Sequence, residues 1–303
     1  MRRFDVDDLL AEYEARPRPV DGILVTLTGT RGMDGYNPSA PAPDGAHPYA
    51  YVRLEYRNDE FSSWSVPFRQ ESATEWRLDR DLPMLSLQDP FVSMVQGTLV
   101  VGGVRVVART HDFVYFRTVF WRGESLASLS EFAQGPLQMK DTRLIDLDDG
   151  RVGLFTRPLG QSAGRGKIAY TEITSLDALS GNVMAEAELI DCQPIDDHWW
   201  GPNDVYRLGD GTLGVLCHVA KFEGSDRNYY ACAFRFDPAS RRVIDGPTII
   251  ADRGRFPPAE AKRPDLKNVV FPAHLDRRRG LLFAGLSDSM IGMLPVPDPF
   301  AAN

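Results

Sequence analysis

The stretch Leu87–Gly103, LQDPFVSMVQGTLVVGG, has the composition of a β-hairpin with an acid at its head. Asp89 and Pro90 open a run of strand-forming residues, and Gly97 marks a tight turn before a second such run. An aspartate at the entrance of a core strand needs an explanation, because charged groups are seldom buried without a partner. Similar stretches recur along the chain at regular spacing.

Turn glycines precede an apolar strand at five places, spaced by 52, 53, 61 and 69 residues: Gly45, Gly97, Gly150, Gly211 and Gly280. Eight or nine residues before each glycine lies the residue that heads the repeat: Asn37, Asp89, Asp141, Asn203 and Pro272. Each repeat reads as strand, tight turn, strand, and the first four have room for two more strands. Four-stranded units repeated around an axis form a β-propeller, so the sequence predicts an all-β fold with five blades.

The predicted domains are a helical extension over residues 1–20, a five-bladed propeller over 21–297 and a tail over 298–303. The first sixteen residues have the pattern of a short amphipathic helix that ends before Pro17 and Pro19. The last repeat is too short for four strands, and the segment Gly22–Gly29, GILVTLTG, is expected to supply its outer strand and remove an exposed edge. The alternative architecture, a pair of β-sandwiches, does not explain the spacing.

Composition and charge limit the classes of binding partner and cofactor that the sequence predicts. The chain of 303 residues has a net charge of −8, which argues against a general nucleic-acid binder. No segment has the length and hydrophobicity of a membrane span or a signal peptide. Its three cysteines and five histidines have no metal-ligand spacing, so no metal and no cofactor is predicted. These features favour a cytoplasmic protein and leave its oligomeric state open.

Several polar residues are candidates for a site at the mouth of the channel. The first strand of each blade lines the channel, so the heads should meet there, and strand alternation puts Arg53, Glu55 and Arg57 on one face. The candidate binding residues are Asn37, Arg53, Arg57, Gln88, Lys140, Arg143, Arg157, Arg165, Lys167, Asn203, His218 and His274. Alternatively, the aspartates and asparagines cap turns, and the charged strand residues form solvated ion pairs.

Two further motifs have two interpretations each. The loop GQSAGRGKIAY lacks the Ser or Thr and the following helix of a nucleotide-binding phosphate loop, but it places Arg165 and Lys167 near Arg157. It is either an anion-facing loop or a flexible hairpin tip. Trp199 and Trp200 are either platforms for sugar rings or packing between blades.

The ordered set of motifs resembles a known family. YNPSAP, VRLEYRNDEFSS, QDPFVSMVQGTLVVGGV, MKDTRLIDLDDGRVGLFTRPLG, GRGKIAY, GPNDVYRL and FPAHLDR with LLFAGLSDS are similar to domain-of-unknown-function family 1861, over about residues 32–289. That family resembles the five-bladed propeller glycosidases and mannoside phosphorylases. The chain departs from the family pattern at FPAH, where Phe-Pro-Gly-Gly is expected, and at Asp204, where a glutamate is expected.

The resemblance implies recognition of a small carbohydrate and cleavage of a glycosidic bond. An inverting glycoside hydrolase needs one carboxyl group to protonate the leaving oxygen and another to activate water. On this basis the expected catalytic residues are Asp89 and Asp141, with Asp204 or Glu55 as a third group. The alternatives are a phosphorylase, in which phosphate replaces water and the cationic residues bind it, and a propeller that binds carbohydrate or protein without catalysis.

Overall fold

The protein is described by a computed structural model over residues 1–44, 47–59, 62–111, 113–160 and 163–301. Gly45, the turn glycine of the first repeat, lies outside these ranges. The described chain is mostly β. It begins with a short strand, β1 (Arg2–Phe4), and a helix, α1 (Val6–Glu14), and it contains a second short helix, α2 (Gly181–Ala185). The Asp5 carboxylate caps α1 by accepting a hydrogen bond from the Asp7 amide at 2.8 Å.

The remaining strands follow in chain order. The first group is β2 (Ile23–Thr28), β3 (Asp34–Tyr36), β4 (Ala42–Asp44), β5 (His47–Glu55), β6 (Ser63–Gln70) and β7 (Glu75–Leu78). The second is β8 (Gln88–Val95), β9 (Thr98–Arg109), β10 (Val114–Gly123) and β11 (Ser130–Gln134). The third is β12 (Lys140–Asp146), β13 (Val152–Arg157), β14 (Ala169–Ile173), β15 (Glu188–Leu189) and β16 (Cys192–Pro194).

The chain ends with two more groups of strands. They are β17 (Trp199–Arg207), β18 (Leu213–Glu223), β19 (Asp226–Asp237) and β20 (Arg242–Ala251), and then β21 (Val270–Asp276), β22 (Leu281–Leu286) and β23 (Met290–Pro295). Short 3₁₀ turns occupy Leu126–Ser128, Leu176–Ala178, Arg253–Arg255 and Pro264–Leu266.

Four-stranded antiparallel sheets form from β8–β11, β12–β15 and β17–β20. A nine-stranded sheet runs β21-β22-β23-β2-β7-β6-β5-β3, with β4 beside β5. The prediction that Gly22–Gly29 supplies the outer strand of the last repeat is confirmed, because β2 pairs antiparallel with β23. Beyond that pairing β2 runs parallel to β7, which joins the two ends of the chain in one sheet.

Three repeat heads, Asp89, Asp141 and Asn203, lie at breaks in the strand ladder. The register shifts between Gln88 and Phe91 in β8, between Lys140 and Arg143 in β12, and between Pro202 and Asp204 in β17. Asn37, Asp89 and Asp141 have left-handed backbones, with φ of 45°, 49° and 54°. A bulge of this kind re-aims a side chain out of the normal alternation. Asp89 and Asp141 share both the register shift and the left-handed backbone.

The last repeat corrects one expectation. Its register shift falls between Pro272 and His274, so the buried Ala273 takes the equivalent position, not Pro272. A proline is compatible with the entrance of a strand, but it does not itself form this bulge.

The N-terminal segment packs against the third and fourth groups of strands. β1 pairs in parallel with β16, and Phe4 packs edge-on against Trp200 with ring centroids 5.0 Å apart. Val6 and Tyr13 of α1 are buried in the same apolar cluster as Trp200. Among the described residues, no helix is long and apolar enough to cross a membrane.

Candidate active site

Asp89 lies at the centre of a buried polar cluster. Its Oδ1 accepts hydrogen bonds from Asn37 Nδ2 at 2.7 Å and from Arg53 Nη1 at 3.0 Å. Its other oxygen has no hydrogen-bond partner among the described residues, and the side chain remains 10% exposed. Burial opposes ionisation of Asp89, but Arg53, Lys140 and the Asn37 hydrogen bond outweigh it and hold the pKa below its usual value.

Glu55 holds the other side of Arg53. Its Oε2 accepts hydrogen bonds from Arg53 Nη2 at 2.9 Å and from Ser63 Oγ, and its Oε1 accepts from Tyr36 Oη and Lys262 Nζ. The Glu55 side chain is 0% exposed. Burial opposes its ionisation, but Arg53 and the hydrogen-bond donors lower its pKa. Both Glu55 oxygens are thus engaged, Oε2 by Arg53 and Ser63 and Oε1 by Tyr36 and Lys262, and Arg53 in turn holds Asp89.

Asp141 lies in a second cluster. Its Oδ2 accepts a hydrogen bond from Arg157 Nη1 at 2.8 Å and lies 4.0 Å from His218 Nε2. His218 Nδ1 lies 2.8 Å from Asn203 Oδ1. Burial disfavours the Asp141 carboxylate, but Arg157, Lys140 and other cations outweigh it and hold its pKa far below the usual value. Burial also lowers the pKa of His218, to about 3, so the imidazole is neutral.

Gly201 makes this second cluster possible. A Cβ at Gly201 would lie 2.7 Å from His218 Cε1, 2.8 Å from Arg157 Cδ and 2.8 Å from Asp141 Oδ2. Three functional side chains therefore meet on a backbone that has no side chain of its own. The close approach depends on glycine at this position.

Lys140 couples the two clusters. The charges of Asp141 and Asp89 both favour its ammonium, and those of Arg157 and Arg53 oppose it. Burial is the largest influence and lowers its pKa. Within the described ranges its ammonium forms no ion pair, so it is a cation held beside two carboxylates and available to a ligand.

A cationic pocket of about 270 Å³ opens next to Lys140. It is lined by Phe116, Lys140, Arg157, Leu159, Arg165, Trp199, Phe222, Arg227 and Tyr229. Arg157 donates to the Arg165 carbonyl oxygen at 2.7 Å, so the predicted anion-facing loop is held against the strand. Four cationic side chains and no acidic one line this pocket, which favours an anionic ligand.

Asp288 is a site residue that the sequence analysis missed. It follows Ser287 in the turn between β22 and β23, and both residues have left-handed backbones, with φ of 51° and 52°. Burial raises the pKa of Asp288. The negative charges of Asp89 and Glu55 also raise this pKa, whereas the positive charge of Arg53 lowers it. Its carboxylate has no hydrogen bond or ion pair to another described residue. In sequence, SDS reads as turn chemistry, so only its place at the mouth of the last repeat could have identified it.

Asp204 lies in a separate cluster. Its Oδ2 accepts from Tyr206 Oη at 2.6 Å and lies 2.8 Å from His274 Nδ1. Arg143 is electrostatically coupled to Asp204, Asp141 and Asp89, and it packs 4.6 Å from the Phe91 ring centroid. Asp204 and His274 are therefore paired with each other, and Arg143 connects them to the two aspartate clusters.

The other predicted binding residues lie around these clusters. Gln88 Nε2 donates to Ser63 Oγ at 3.3 Å. Arg57 pairs with Asp34 at 2.8 Å and donates to the Ala261 carbonyl oxygen at 3.1 Å. Lys167 is half-buried beyond Gly166. Both tryptophans are buried, which agrees with a packing role, and Trp199 also lines the cationic pocket.

The described residues include one group with the composition of metal ligands, Asp5, Asp7 and His198. Each has a protein partner: Asp5 caps α1, Asp7 pairs with Lys221, and His198 Nδ1 accepts from the Val6 amide at 3.3 Å. The group lies at the start of α1 and accounts for the helix entry without a metal.

The sequence and the overall fold are similar to those of known proteins. A family model described as "Protein of unknown function (DUF1861)" matches residues 12–302. MPT-4, a mannose phosphorylase from Leishmania mexicana solved with phosphate ion, is 29% identical over 97% of this chain and 93% of that chain, with a TM-score of 0.89. MPT-1, a GDP-Man-dependent mannosyltransferase from the same organism, is 26% identical over 99% of this chain and 97% of that chain, with a TM-score of 0.87.

A more distant structure shares the fold alone. The β-1,2-mannobiose phosphorylase from Listeria innocua, in complex with β-1,2-mannobiose, is 15% identical over 93% of this chain and 92% of that chain, with a TM-score of 0.63. No curated protein matches the sequence.

Proposed function

The chain belongs to the DUF1861 family, and we propose that it is an inverting glycoside phosphorylase that cleaves a short mannoside with phosphate. The observation that carries this proposal is the cationic pocket beside Asp89 and Asp141. Phosphorolysis needs a bound phosphate next to a carboxyl group, and Lys140 and Arg157 supply two cations there. The mannoside as substrate class rests on the similarity to MPT-4.

In this proposal a phosphate oxygen attacks the anomeric carbon while the glycosidic C–O bond breaks. The products are a sugar 1-phosphate and the alcohol that leaves, which takes one proton from the protein. Asp89 is the proposed donor, because one of its oxygens is fixed by Asn37 and Arg53 and the other is unpaired. A phosphate bound to Lys140 would offset one of the cations that lower the Asp89 pKa, so binding itself would favour the protonated acid.

The remaining residues have positioning roles in this scheme. Glu55 orders Arg53 and does not contact substrate, because both of its oxygens are already engaged. Asp141 orders Arg157, and His218 and Asn203 complete the wall behind them. Asp288 and Asn37 are proposed to orient sugar hydroxyls, with Arg143, Asp204 and His274 deeper in the channel.

Hydrolysis is the second candidate, since two carboxylates in one site are what an inverting hydrolase uses. It requires Asp141 to act as the base that activates water. Arg157 and Lys140 hold the Asp141 pKa far below its usual value, which makes it a weak base. Attack by phosphate needs no such base, and for this reason phosphorolysis is the better supported of the two.

We also propose that the strands form five blades around the site. In this interpretation the nine-stranded sheet is two blades, β21-β22-β23-β2 and β3–β7, joined at the parallel pairing of β2 with β7. The equivalent bulges at Asp89, Asp141, Asn203 and Ala273 support a common axis. The propeller would span residues 21–297, and three free, buried cysteines fit a cytoplasmic location.

The function is tested in the direction of synthesis. Purified protein is incubated with mannose 1-phosphate and a panel of sugar acceptors, and phosphate release is measured. Lys140→Met should lower turnover by at least about 10²-fold through loss of phosphate stabilisation, while Lys267→Met, at an exposed lysine, should leave it unchanged. Absence of phosphate release with every acceptor, or equal rates for the two variants, contradicts the proposal.

A further inference from the structure

The cationic pocket has two levels. Lys140 and Arg157 lie at the inner level, next to Asp141. Arg165 and Arg227 belong to the same pocket but have their own aromatic surroundings, Trp199 and Phe222 for Arg165. The two inner cations suffice for one phosphate dianion. The two outer cations are therefore in excess of what phosphorolysis requires.

Arg165 is preorganised for an anion. Its guanidinium carbon lies 4.5 Å from the Phe222 ring centroid and 5.7 Å from that of Trp199. Stacking holds the planar group but satisfies none of its N–H donors. Within the described chain its side chain has no ion pair and no hydrogen bond, although an arginine on the surface commonly finds a carboxylate.

The backbone ties the outer level to the inner one. Arg157 Nη2 donates to the Arg165 carbonyl oxygen at 2.7 Å. The chain then passes so close to Arg157 that a Cβ at Gly166 would lie 2.1 Å from Arg157 Nε. Gly166 also has a φ of 141°, which favours glycine. The backbone at residues 165 and 166 is thus held against the Arg157 side chain.

Arg227 retains charge for a ligand. Its nearest acid is Asp265, with Nε 3.8 Å from Oδ2. Asp265 is already engaged by Arg263 through two hydrogen bonds, at 3.0 Å and 3.2 Å. This long contact with a shared acid contributes little, so Arg227 has no close carboxylate partner among the described residues.

We propose that Arg165 and Arg227 form a second anion subsite. The inner level of the pocket binds the attacking phosphate, and the outer level binds a second negatively charged group. This inference rests on the proposed function, in which the inner level binds phosphate. The second group is either linked to the first, as in a pyrophosphate, or borne by a separate acceptor such as a sugar phosphate. Both share the chemistry of a phosphate oxyanion held by stacked guanidinium groups.

Isothermal titration calorimetry with phosphate and with pyrophosphate tests the subsite directly. The unmodified protein should bind pyrophosphate at least about tenfold more tightly than phosphate, since one added charge-assisted contact is worth about that factor. The double variant Arg165→Gln/Arg227→Gln should lose this advantage and keep its phosphate affinity within about twofold. Arg165→Lys keeps the charge but loses the planar guanidinium group, so its preference for pyrophosphate should lie between those of the unmodified protein and the double variant. Arg122→Gln is the control: Arg122 forms an exposed ion pair with Asp177, and its loss should leave both affinities unchanged.

Equal affinities for the two ions, or a double variant that weakens both equally, overturn the second subsite and leave phosphorolysis standing. Pyrophosphate binding that depends on Arg165, in a protein with no phosphorylase activity, keeps the subsite and rejects the proposed function. Failure of both ions to bind rejects both. Titration of mannose 6-phosphate into phosphate-saturated protein distinguishes the two sources of the second negative group. Binding that depends on Arg165 assigns the subsite to a separate phosphorylated acceptor. Absence of such binding assigns the subsite to an anion linked to the first phosphate.

Discussion

Gly201→Ala should cost both stability and activity, by amounts that follow from the contacts at this position. A methyl group at residue 201 would sit 2.7–2.8 Å from atoms of His218, Arg157 and Asp141. All three side chains are buried, Arg157 is hydrogen-bonded to Asp141, and His218 Nδ1 lies 2.8 Å from Asn203 Oδ1, so movement of any of them disturbs another contact. Overpacking of this kind typically costs about 1–3 kcal/mol.

The thermal shift expected from that cost is small but measurable. For 303 residues, an unfolding entropy of about 2.1 cal/mol/K per residue converts 1–3 kcal/mol into a decrease in Tm of about 2–5 °C. The effect on activity should be larger, because displacement of Arg157 by a few tenths of an ångström misplaces the bound phosphate. We expect a loss of about 10²-fold in turnover from misplacement.

Differential scanning calorimetry and the phosphate-release assay measure the two effects. Gly209→Ala is the matched control, because nothing lies within 4 Å of a Cβ there and its φ is not in the left-handed region. It should change stability by less than about 0.5 kcal/mol and leave activity intact. If Gly201→Ala is as stable and as active as Gly209→Ala, the packing that we describe around Asp141 is wrong.

Other variants test the remaining parts of the site. Asp89→Asn should lower turnover by about 10²–10⁴-fold, the range for loss of a general acid. The variant protein should still bind phosphate in a calorimetric titration. Full activity would show that Asp89 is not the proton donor. Phosphate binding near pH 5 should be accompanied by more proton uptake in the unmodified protein than in Asp89→Asn, because the bound anion raises the pKa of Asp89. Calorimetry in buffers of different ionisation enthalpy measures this uptake. Identical uptake would show that phosphate binding and Asp89 protonation are not coupled. Glu55→Gln should lower the free energy of unfolding at pH 7 by about 3–5 kcal/mol, as expected when one partner of a buried ion pair is removed, and a loss below 1 kcal/mol in urea denaturation would contradict the buried network. The pKa of Glu55 in the folded protein lies below its ordinary value of 4.5. The ionised carboxylate therefore contributes its full stabilisation above pH 4.5, and this stabilisation is lost as the pH falls through the folded pKa. The acid-induced loss of stability should be shallower in Glu55→Gln, which lacks this group.

Periodic features of the sequence were sufficient to predict the all-β class and the position of many strands. The glycine spacing identified the repeat heads at Asn37, Asp89, Asp141 and Asn203, and the short last repeat predicted the strand exchange at Gly22–Gly29. These features are local, since a turn glycine and an alternating strand reflect short-range sterics and burial. The sequence did not reveal that the heads are bulges, because a bulge depends on pairing with the next strand.

The site was harder to predict because its residues come from distant parts of the chain. Lys262 reaches Glu55 from a connecting segment with no strand pattern, and Asp288 lies in a turn whose residues suit any turn. Arg227 and Phe222 flank the hairpin between β18 and β19, where charged and aromatic residues are ordinary. Their role follows only from convergence on one pocket, which requires the fold.

Phosphate dependence is the central claim, and proton NMR of a cleavage reaction tests it most directly. The protein is incubated with β-1,2-mannobiose with and without phosphate, and the anomeric signals are followed in time. We expect cleavage only with phosphate, with α-mannose 1-phosphate as the first product, because single displacement inverts the anomeric carbon. Release of free mannose at the same rate without phosphate would contradict it and assign the site to hydrolysis.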